Sequence, residues 1–218
     1  MDKSQESSQS LFTPVLIAGC LILIVSFGIR SAFGLFQIPI AEEFGWLRVE
    51  FSMAIAIQNL AWGIGQPIFG AIAEKIGDRK AIFMGALLYA LGLVLSAYAV
   101  TPGAMQALEV LVGVGIAGTG FGVILAIVGR ASSDANRSMS LAIATAAGSA
   151  GQVVGPPIAE GLLATMPWQS VFFVFAVAIL GILFLLPMVR SPQVASKAEL
   201  EESMGTVLTK ALRDPSYT

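Results

Sequence analysis

Long apolar runs separated by short polar segments form the main pattern of the chain. Six such runs extend over about Pro14–Ile40, Phe51–Ala73, Arg79–Val100, Ala104–Val128, Met139–Ala164 and Trp168–Val189. Crossing about 30 Å of hydrocarbon at about 1.5 Å per residue takes roughly 20 helical residues, and each run is at least that long. The pattern therefore predicts an all-α integral membrane protein with six transmembrane helices.

A sequence pattern in the second run recurs 90 positions later (155 − 65) in the fifth. Four residues are identical between the two copies. In the first copy they are Gly65, Pro67, Ile68 and Phe83, and in the second they are Gly155, Pro157, Ile158 and Phe173. The first copy contains a charged turn and the second a neutral turn with a tryptophan. Such a difference is typical of two units inserted with opposite topology, so we expect a 3+3 inverted repeat.

The composition agrees with a membrane protein and narrows its chemistry. The chain is 56% hydrophobic and 12% charged, with a mean hydropathy of +0.83, whereas soluble domains carry about 25% charged residues. It contains no histidine, and its one cysteine, Cys20, lies in an apolar run. The commonest metal ligand and general base is therefore missing, and no disulfide can form within the chain. We expect no enzymatic activity, no metal or cofactor, and no nucleic-acid partner.

Basic residues sort to one side of the six predicted spans. One side carries eight of them: Lys3, Lys75, Arg79, Lys80, Arg130, Arg137, Arg190 and Lys197. Arg48 is the exception and lies on the opposite side. The positive-inside rule makes that side cytoplasmic, so both termini are predicted to face the cytoplasm from the inner (plasma) membrane. The predicted organisation is a cytoplasmic tail over residues 1–13, a six-helix membrane domain over 14–190 and a cytoplasmic linker over 191–218.

Arg30 is predicted to lie well inside the first span, where a cation is costly unless it faces water or a partner. One interpretation is a clamp for a substrate carboxylate, because a guanidinium binds planar anions through two hydrogen bonds. The other is a structural ion pair, or an arginine that reaches toward the outer surface. Four amides in or beside the spans either line a polar pathway with it or hydrogen-bond between helices: Gln37, Gln58, Asn59 and Gln152.

Two carboxylates lie within the predicted spans, and each has a functional and a structural interpretation. Glu109, early in the fourth span, is a candidate proton carrier, since burial favours a neutral carboxyl group. It is equally a residue of the wet interface or a counter-ion for Arg30. Glu160 follows Gly155-Pro156-Pro157 in the fifth span and has the same two interpretations.

The turn between the second and third spans carries five charges. Gly77 is a natural left-handed end for the preceding helix, and Asp78 is suited to cap the next one. The segment resembles the loop signature of the major facilitator superfamily, Gly-x-x-x-Asp-Arg/Lys-x-Gly-Arg/Lys-Arg/Lys. Glu74 replaces the family's Asp, and Asp78 occupies a usually basic position. The resemblance implies that a cytoplasmic gate comprises Gly70, Glu74, Lys75, Gly77, Asp78, Arg79 and Lys80, with latching by Glu74 and Arg79.

Other segments are similar to the bacterial monocarboxylate and oxalate–formate exchanger branch of that superfamily. They are Gly28–Gly34, Glu43–Trp46 and Gly148–Gln152 followed by Pro157. In the fourth span, Glu109 stands where drug-exporting members have arginine, and the antiporter motif of the fifth span is half present. The branch implies a secondary transporter of small organic anions, in which Arg30 binds the carboxylate and the four amides line the cavity.

Superfamily members have twelve spans in two six-span halves, with substrate bound between them. This chain then corresponds to the N-terminal half, and Thr218 looks like a truncation point before a seventh span. The expected partners are the lipid bilayer, the organic anion, and either the missing half or a second copy of the chain. Two alternatives remain open, namely a drug or sugar exporter of the same superfamily and a non-transporting membrane receptor or scaffold.

Overall fold

The computed structural model describes residues 10–190, and their regular structure is helical. Two short 3₁₀ segments, Phe33–Phe36 and Ile182–Met188, follow the first and last α-helices. The α-helices are α1 Pro14–Ala32, α2 Gln37–Phe44, α3 Arg48–Ile76, α4 Asp78–Ser96, α5 Pro102–Thr119, α6 Phe121–Ala131, α7 Arg137–Leu163 and α8 Trp168–Gly181. Most of the predicted tail and the whole predicted linker lie outside the described residues.

Four helical stretches are both long and apolar enough to cross a membrane. They are Pro14–Phe44, Asp78–Ser96, Pro102–Ala131 and Trp168–Met188, which correspond to the first, third, fourth and sixth predicted spans. Helices α3 and α7, with 29 and 27 residues, have the necessary length but a lower apolar content. Helix α3 carries Gln58, Asn59 and Gln66 in its middle, and α7 is rich in glycine, serine and threonine. The fold is thus confirmed as an all-helical membrane fold.

Glycines interrupt the predicted runs at two positions. Gly120, with extended backbone, separates α5 from α6 within the predicted fourth span. Gly77 ends α3 with φ 99° and ψ 148°, which is a positive φ but not the predicted left-handed helical conformation. The predicted capping by Asp78 is wrong, since Gly77 occupies the N-cap position of α4. The Asp78 carboxylate instead forms a 2.5 Å ion pair with Arg130.

The helices pack in pairs that are distant in sequence. Helix α1 packs mainly on α7, α3 on α5, and α4 on both α5 and α8. The α1–α7 approach is so close that a Cβ atom on Gly155 would lie 2.6 Å from the Cα of Gly28. In the α3–α5 pair, a Cβ on Gly113 would overlap the backbone oxygen of Gln58. Small residues thus let the backbones touch, which is how helices associate where lipid supplies no hydrophobic driving force.

Polar contacts tie the bundle together at both ends. At one end, Arg79 of α4 donates to the carbonyls of Val189 (2.7 Å) and Pro187 (2.9 Å) at the end of the last span. At the other end, Glu43 of α2 accepts from the indole nitrogen of Trp168 at 2.5 Å and from Gln169 at 3.1 Å. The first end gathers the basic residues of the α3–α4 turn with Arg130 and Arg190. Arg48 lies at the other end, beside α2, as the sorting of basic residues predicts.

Candidate functional site

The predicted site begins where the last turn of α1 meets the middle of α3. The Nη2 group of Arg30 donates a hydrogen bond to Oδ1 of Asn59. Asn59 in turn donates from Nδ2 to the carbonyl oxygen of Ile55, one turn earlier in α3, at 2.8 Å. This second bond fixes the orientation of the amide, so its oxygen is directed at the guanidinium. Two predicted site residues are thereby brought together.

Aromatic rings surround the same guanidinium. The Arg30 Cζ atom lies 4.5 Å from the ring centroid of Trp62 and 5.9 Å from that of Phe27. The two rings contact each other edge to face, with 5.7 Å between centroids. A cation over an aromatic face is stabilised by about 0.5–2 kcal/mol. Sequence reasoning missed Trp62, although its position three residues after Asn59 places both on one face of α3.

The Arg30 site retains unused hydrogen-bond donors. Within residues 10–190, Arg30 Nε and Trp62 Nε1 are buried atoms without a hydrogen-bond partner. The ion pairs formed in this part of the chain, Arg130–Asp78 and Arg137–Asp134, do not involve Arg30. Among the described residues, its positive charge contacts an amide oxygen and two π-faces. A buried donor without an acceptor costs about 1–3 kcal/mol, so the arrangement is suited to an anionic ligand.

A second polar cluster lies inside the bundle, between α3, α4 and α5. Gln58 Nε2 donates to Glu109 Oε2 at 2.6 Å, and both side chains are 1% exposed. The Ser96 side chain of α4 lies beside the carboxyl group. Ser96 Oγ and Glu109 Oε1 nevertheless form no hydrogen bond of normal geometry with the described residues. The two structural interpretations of Glu109 therefore do not hold. Its side chain is shielded from the membrane interface, and it forms no ion pair with Arg30.

The two clusters are connected through consecutive residues of one helix. Gln58 binds Glu109 of α5, and the next residue, Asn59, binds Arg30 of α1. Adjacent residues of an α-helix point about 100° apart, so α3 presents one amide to each neighbouring helix. Tyr89 lies within electrostatic reach of both Glu109 and Arg30, and its hydroxyl donates to the Ser26 carbonyl at 3.3 Å. A rotation or shift of α3 would therefore change both clusters together.

Three of the predicted site residues lie apart from these clusters. Gln37 donates to the Arg48 carbonyl and to Ser52 Oγ, both at 2.9 Å, and so joins α2 to the start of α3. Gln152 is half-buried on α7, and Glu160 is exposed on the same helix. None of the hydrogen bonds between described residues joins Gln152 or Glu160 to Arg30 or Glu109. These three side chains therefore do not belong to the Arg30 cluster or to the Glu109 cluster.

The predicted gating loop forms the α3–α4 turn, and its charged residues have different surroundings. Glu74, Lys75 and Lys80 are exposed, and Gly70 is half-buried. Arg79, which was expected to latch together with Glu74, donates to the backbone that follows α8. Asp78 pairs with Arg130 at the end of α6, a partner that the sequence did not reveal. The turn therefore joins α4 to both α6 and the end of the last span.

Comparison with known proteins identifies the family. Residues 18–217 match the sequence profile of the Major Facilitator Superfamily. Two similar curated proteins are both named methyl viologen resistance protein SmvA, from Salmonella typhimurium strains LT2 and 14028s. Each is 28% identical over 133 residues, which cover 61% of this chain and 26% of the relative. The chain thus matches about a quarter of the length of these relatives. Members of the superfamily are transporters, and this multi-pass membrane chain belongs to the Major Facilitator Superfamily.

Proposed function

We propose that the chain forms one half of a secondary active transporter that moves a small organic anion, such as a monocarboxylate, by alternating access. The observation that carries this proposal is the Arg30 guanidinium, stacked on Trp62 and bound by Asn59, without an acidic partner among the described residues. Leaving a cation in a span costs several kcal/mol unless an anion or water compensates it. A substrate carboxylate supplies that compensation and accepts from the unused donors.

In the proposed architecture, residues 14–190 form six spans as a 3+3 inverted repeat. Helices α3 and α7 complete the six, since 29 and 27 residues extend about 43 and 40 Å at about 1.5 Å per residue. The packing supports the repeat, because α1–α7 pairs the first span with the fifth and α3–α5 pairs the second with the fourth. An inverted repeat that exchanges spans 1–3 with 4–6 converts one of these pairs into the other.

The remaining parts of the proposal concern topology and partners. Residues 1–13 and 191–218 are a cytoplasmic tail and linker, and the membrane is the inner (plasma) membrane. Substrate lies between this half and either a second six-span half or another copy of the chain. The end of the bundle that carries Arg79, Arg130 and Arg190 faces the cytoplasm, as the positive-inside rule requires. The α3–α4 turn at this end forms the inward gate.

Glu109 is the first candidate for proton coupling. It is 1% exposed, bound to Gln58, and flanked by the hydroxyl of Ser96. A carboxyl group buried in a span without a cationic partner is an expected location for a transported proton. The neighbouring Asn59–Arg30 contact provides a route by which protonation changes substrate binding. Glu160 is the weaker candidate, because it is exposed on α7. Gln37 and Gln152 are cavity residues that contact substrate in another state of the transport cycle.

The decisive experiment measures uptake of a radiolabelled monocarboxylate by proteoliposomes containing the full-length protein. We expect Arg30→Ala to abolish uptake and Arg30→Lys to raise KM by about 10-fold or more, since each charge-assisted hydrogen bond contributes about 1.5–3 kcal/mol. Arg48→Ala is the matched control, because this exposed arginine lies at the α2 end of the bundle, outside the Arg30 cluster, and it binds Gln37 through its backbone carbonyl. Normal uptake by the Arg30→Ala protein, inserted at wild-type level, would refute the carboxylate clamp.

A drug or sugar exporter is the second candidate function. The observation that favours drug export is the similarity to the two proteins named for methyl viologen resistance. Growth of cells in methyl viologen, with and without the full-length protein, tests this alternative. Resistance that persists in Arg30→Ala cells, together with absent anion uptake, would favour export. A receptor or scaffold would bind an anion in detergent, but label would not accumulate in vesicles.

A further inference from the structure

A cavity of about 590 Å³ lies at the basic end of the bundle, away from the Arg30 site. It is formed where the α3–α4 turn meets the chain that leaves the last span. Seven residues line it: Ile76, Gly77, Asp78, Arg79, Lys80, Val189 and Arg190. Residues 77–80 of its lining belong to the proposed inward gate, but the proposed transport cycle assigns no ligand to this cavity.

The cavity carries a net positive charge. Three of its lining side chains are basic and one is acidic, which gives +2. The acidic one, Asp78, forms a 2.5 Å ion pair with Arg130, which lies outside the lining. The N-terminus of α4 lies at the same place and adds the positive end of a 19-residue helix dipole. The cavity is therefore suited to an anion.

The basic side chains have different roles in the cavity. Arg79 holds the cavity walls together, because its Nε and Nη2 groups donate to the carbonyls of Val189 and Pro187. Lys80 and Arg190 are exposed, and both line the cavity beside that connection. They are the side chains that can close on a ligand without breaking the contact between α4 and the last span.

An exposed apolar strip leads from the cavity along α4. Met84, Leu87 and Leu91 are all exposed and follow Lys80 at spacings of four, three and four residues, which places them on one face of the helix. Phe184, in the 3₁₀ segment that precedes Val189, is 88% exposed. A soluble phosphate compound has no apolar group to contact these surfaces, whereas a phospholipid covers them with its acyl chains.

We infer that this cavity binds the headgroup of an anionic phospholipid, with its acyl chains along the apolar strip of α4. Lys80 and Arg190 bind the phosphate, Arg79 fixes the walls, and the helix N-terminus adds to the attraction. Basic pockets between transmembrane helices near the membrane surface are suited to such headgroups. This inference is independent of the Arg30 site, so each can fail without the other.

Native mass spectrometry of the purified full-length protein tests the inference, with dioleoyl phosphatidylglycerol as the probe and dioleoyl phosphatidylcholine as the neutral lipid. We expect retention of phosphatidylglycerol and not of phosphatidylcholine. The double variant Lys80→Gln/Arg190→Gln should bind phosphatidylglycerol about 30-fold more weakly, from about 1 kcal/mol for each basic side chain. The matched control is Lys75→Gln, which removes an exposed lysine of the same turn that does not line the cavity.

Three results would overturn the inference. One is equal retention of phosphatidylglycerol by the double variant and the wild-type protein. Another is an equally large loss in the Lys75→Gln control, which would indicate general surface electrostatics. The third is displacement of the lipid by millimolar glycerol 3-phosphate, which would identify a soluble phosphate as the ligand. Circular dichroism of each variant confirms that the helical fold is retained.

Discussion

Replacing Gly155 by alanine should separate α1 from α7 and disturb the Arg30 site. A Cβ atom at this position would lie 2.0 Å from the carbonyl oxygen of Gly28 and 2.6 Å from its Cα, where ordinary contacts begin near 3.4 Å. The obstructing atoms belong to the backbone, so no change of rotamer relieves the clash. One helix must therefore move by about 1 Å. Because Gly28 precedes Arg30 by two residues, the movement displaces the guanidinium relative to Asn59.

The expected loss of stability follows from two opposing contributions. Overpacking a well-filled contact costs about 1–3 kcal/mol, and the upper value applies where only backbone can move. Replacing glycine by alanine inside a helix stabilises the folded state by about 1 kcal/mol. We therefore expect Gly155→Ala to lower the free energy of unfolding by about 2 kcal/mol. In the matched control, Gly161→Ala on the same helix, an added Cβ meets no atom within 4 Å, so stability should rise by about 1 kcal/mol.

Both free energies can be measured by unfolding in mixed micelles with increasing sodium dodecyl sulfate, followed by circular dichroism. The two variants should differ by about 3 kcal/mol, and only Gly155→Ala should raise KM for the transported anion. Equal stability of the two variants would show that α1 and α7 do not approach as closely as described. A stability loss without any change in KM would separate the helix contact from the position of Arg30.

Two further predictions concern the carboxylates. Glu109→Gln keeps the side-chain volume and an acceptor for Gln58 but removes the titratable proton. Uptake should therefore lose its response to an imposed pH gradient, while exchange of labelled substrate continues. An unchanged response in proteoliposomes would exclude Glu109 as the coupling site. The Asp78–Arg130 pair is largely shielded, with side chains 10% and 22% exposed, so Asp78→Asn should lower the free energy of unfolding by about 1–2 kcal/mol. Exchanging both charges, as Asp78→Arg/Arg130→Asp, should restore part of this loss in the same assay, and a further loss would contradict the pairing.

The helical membrane fold could be predicted from the sequence because it depends on local composition. A run of some twenty apolar residues needs a helix to satisfy its backbone in lipid, whatever the rest of the chain does. The interruption at Gly120 was not predicted, since the run from Ala104 to Val128 contains several glycines and only one adopts an extended backbone. Helices α3 and α7 are less apolar than the other spans because they carry polar residues. Gln58 and Asn59 of α3 bind side chains of α5 and α1, whereas Thr145, Ser149 and Glu160 of α7 are exposed.

The candidate site was predicted by residue type and not by pairing. Arg30, Gln58, Asn59 and Glu109 were identified because polar groups are costly in a span, a rule that needs no structure. Which of them meet depends on how α3 packs on α5 and on which α1 side chains reach it, and this is a tertiary property. The sequence therefore could not decide whether Glu109 neutralises Arg30. In the structure, each of the two side chains binds a different amide of α3.

The arrangement of α3 suggests how binding and gating are connected. Its middle holds the amides that contact Arg30 and Glu109, and its end continues into the turn that carries Asp78 and Arg79. Across about 27 Å, the rise of 18 residues from Gln58 to Ile76, the helix is unbroken despite Pro67. A substrate that pulls Arg30 away from Asn59 therefore acts on the same rigid element that positions the turn. In the proposed transport cycle, one movement of α3 would therefore couple ligand binding at the centre to closure at the end of the bundle.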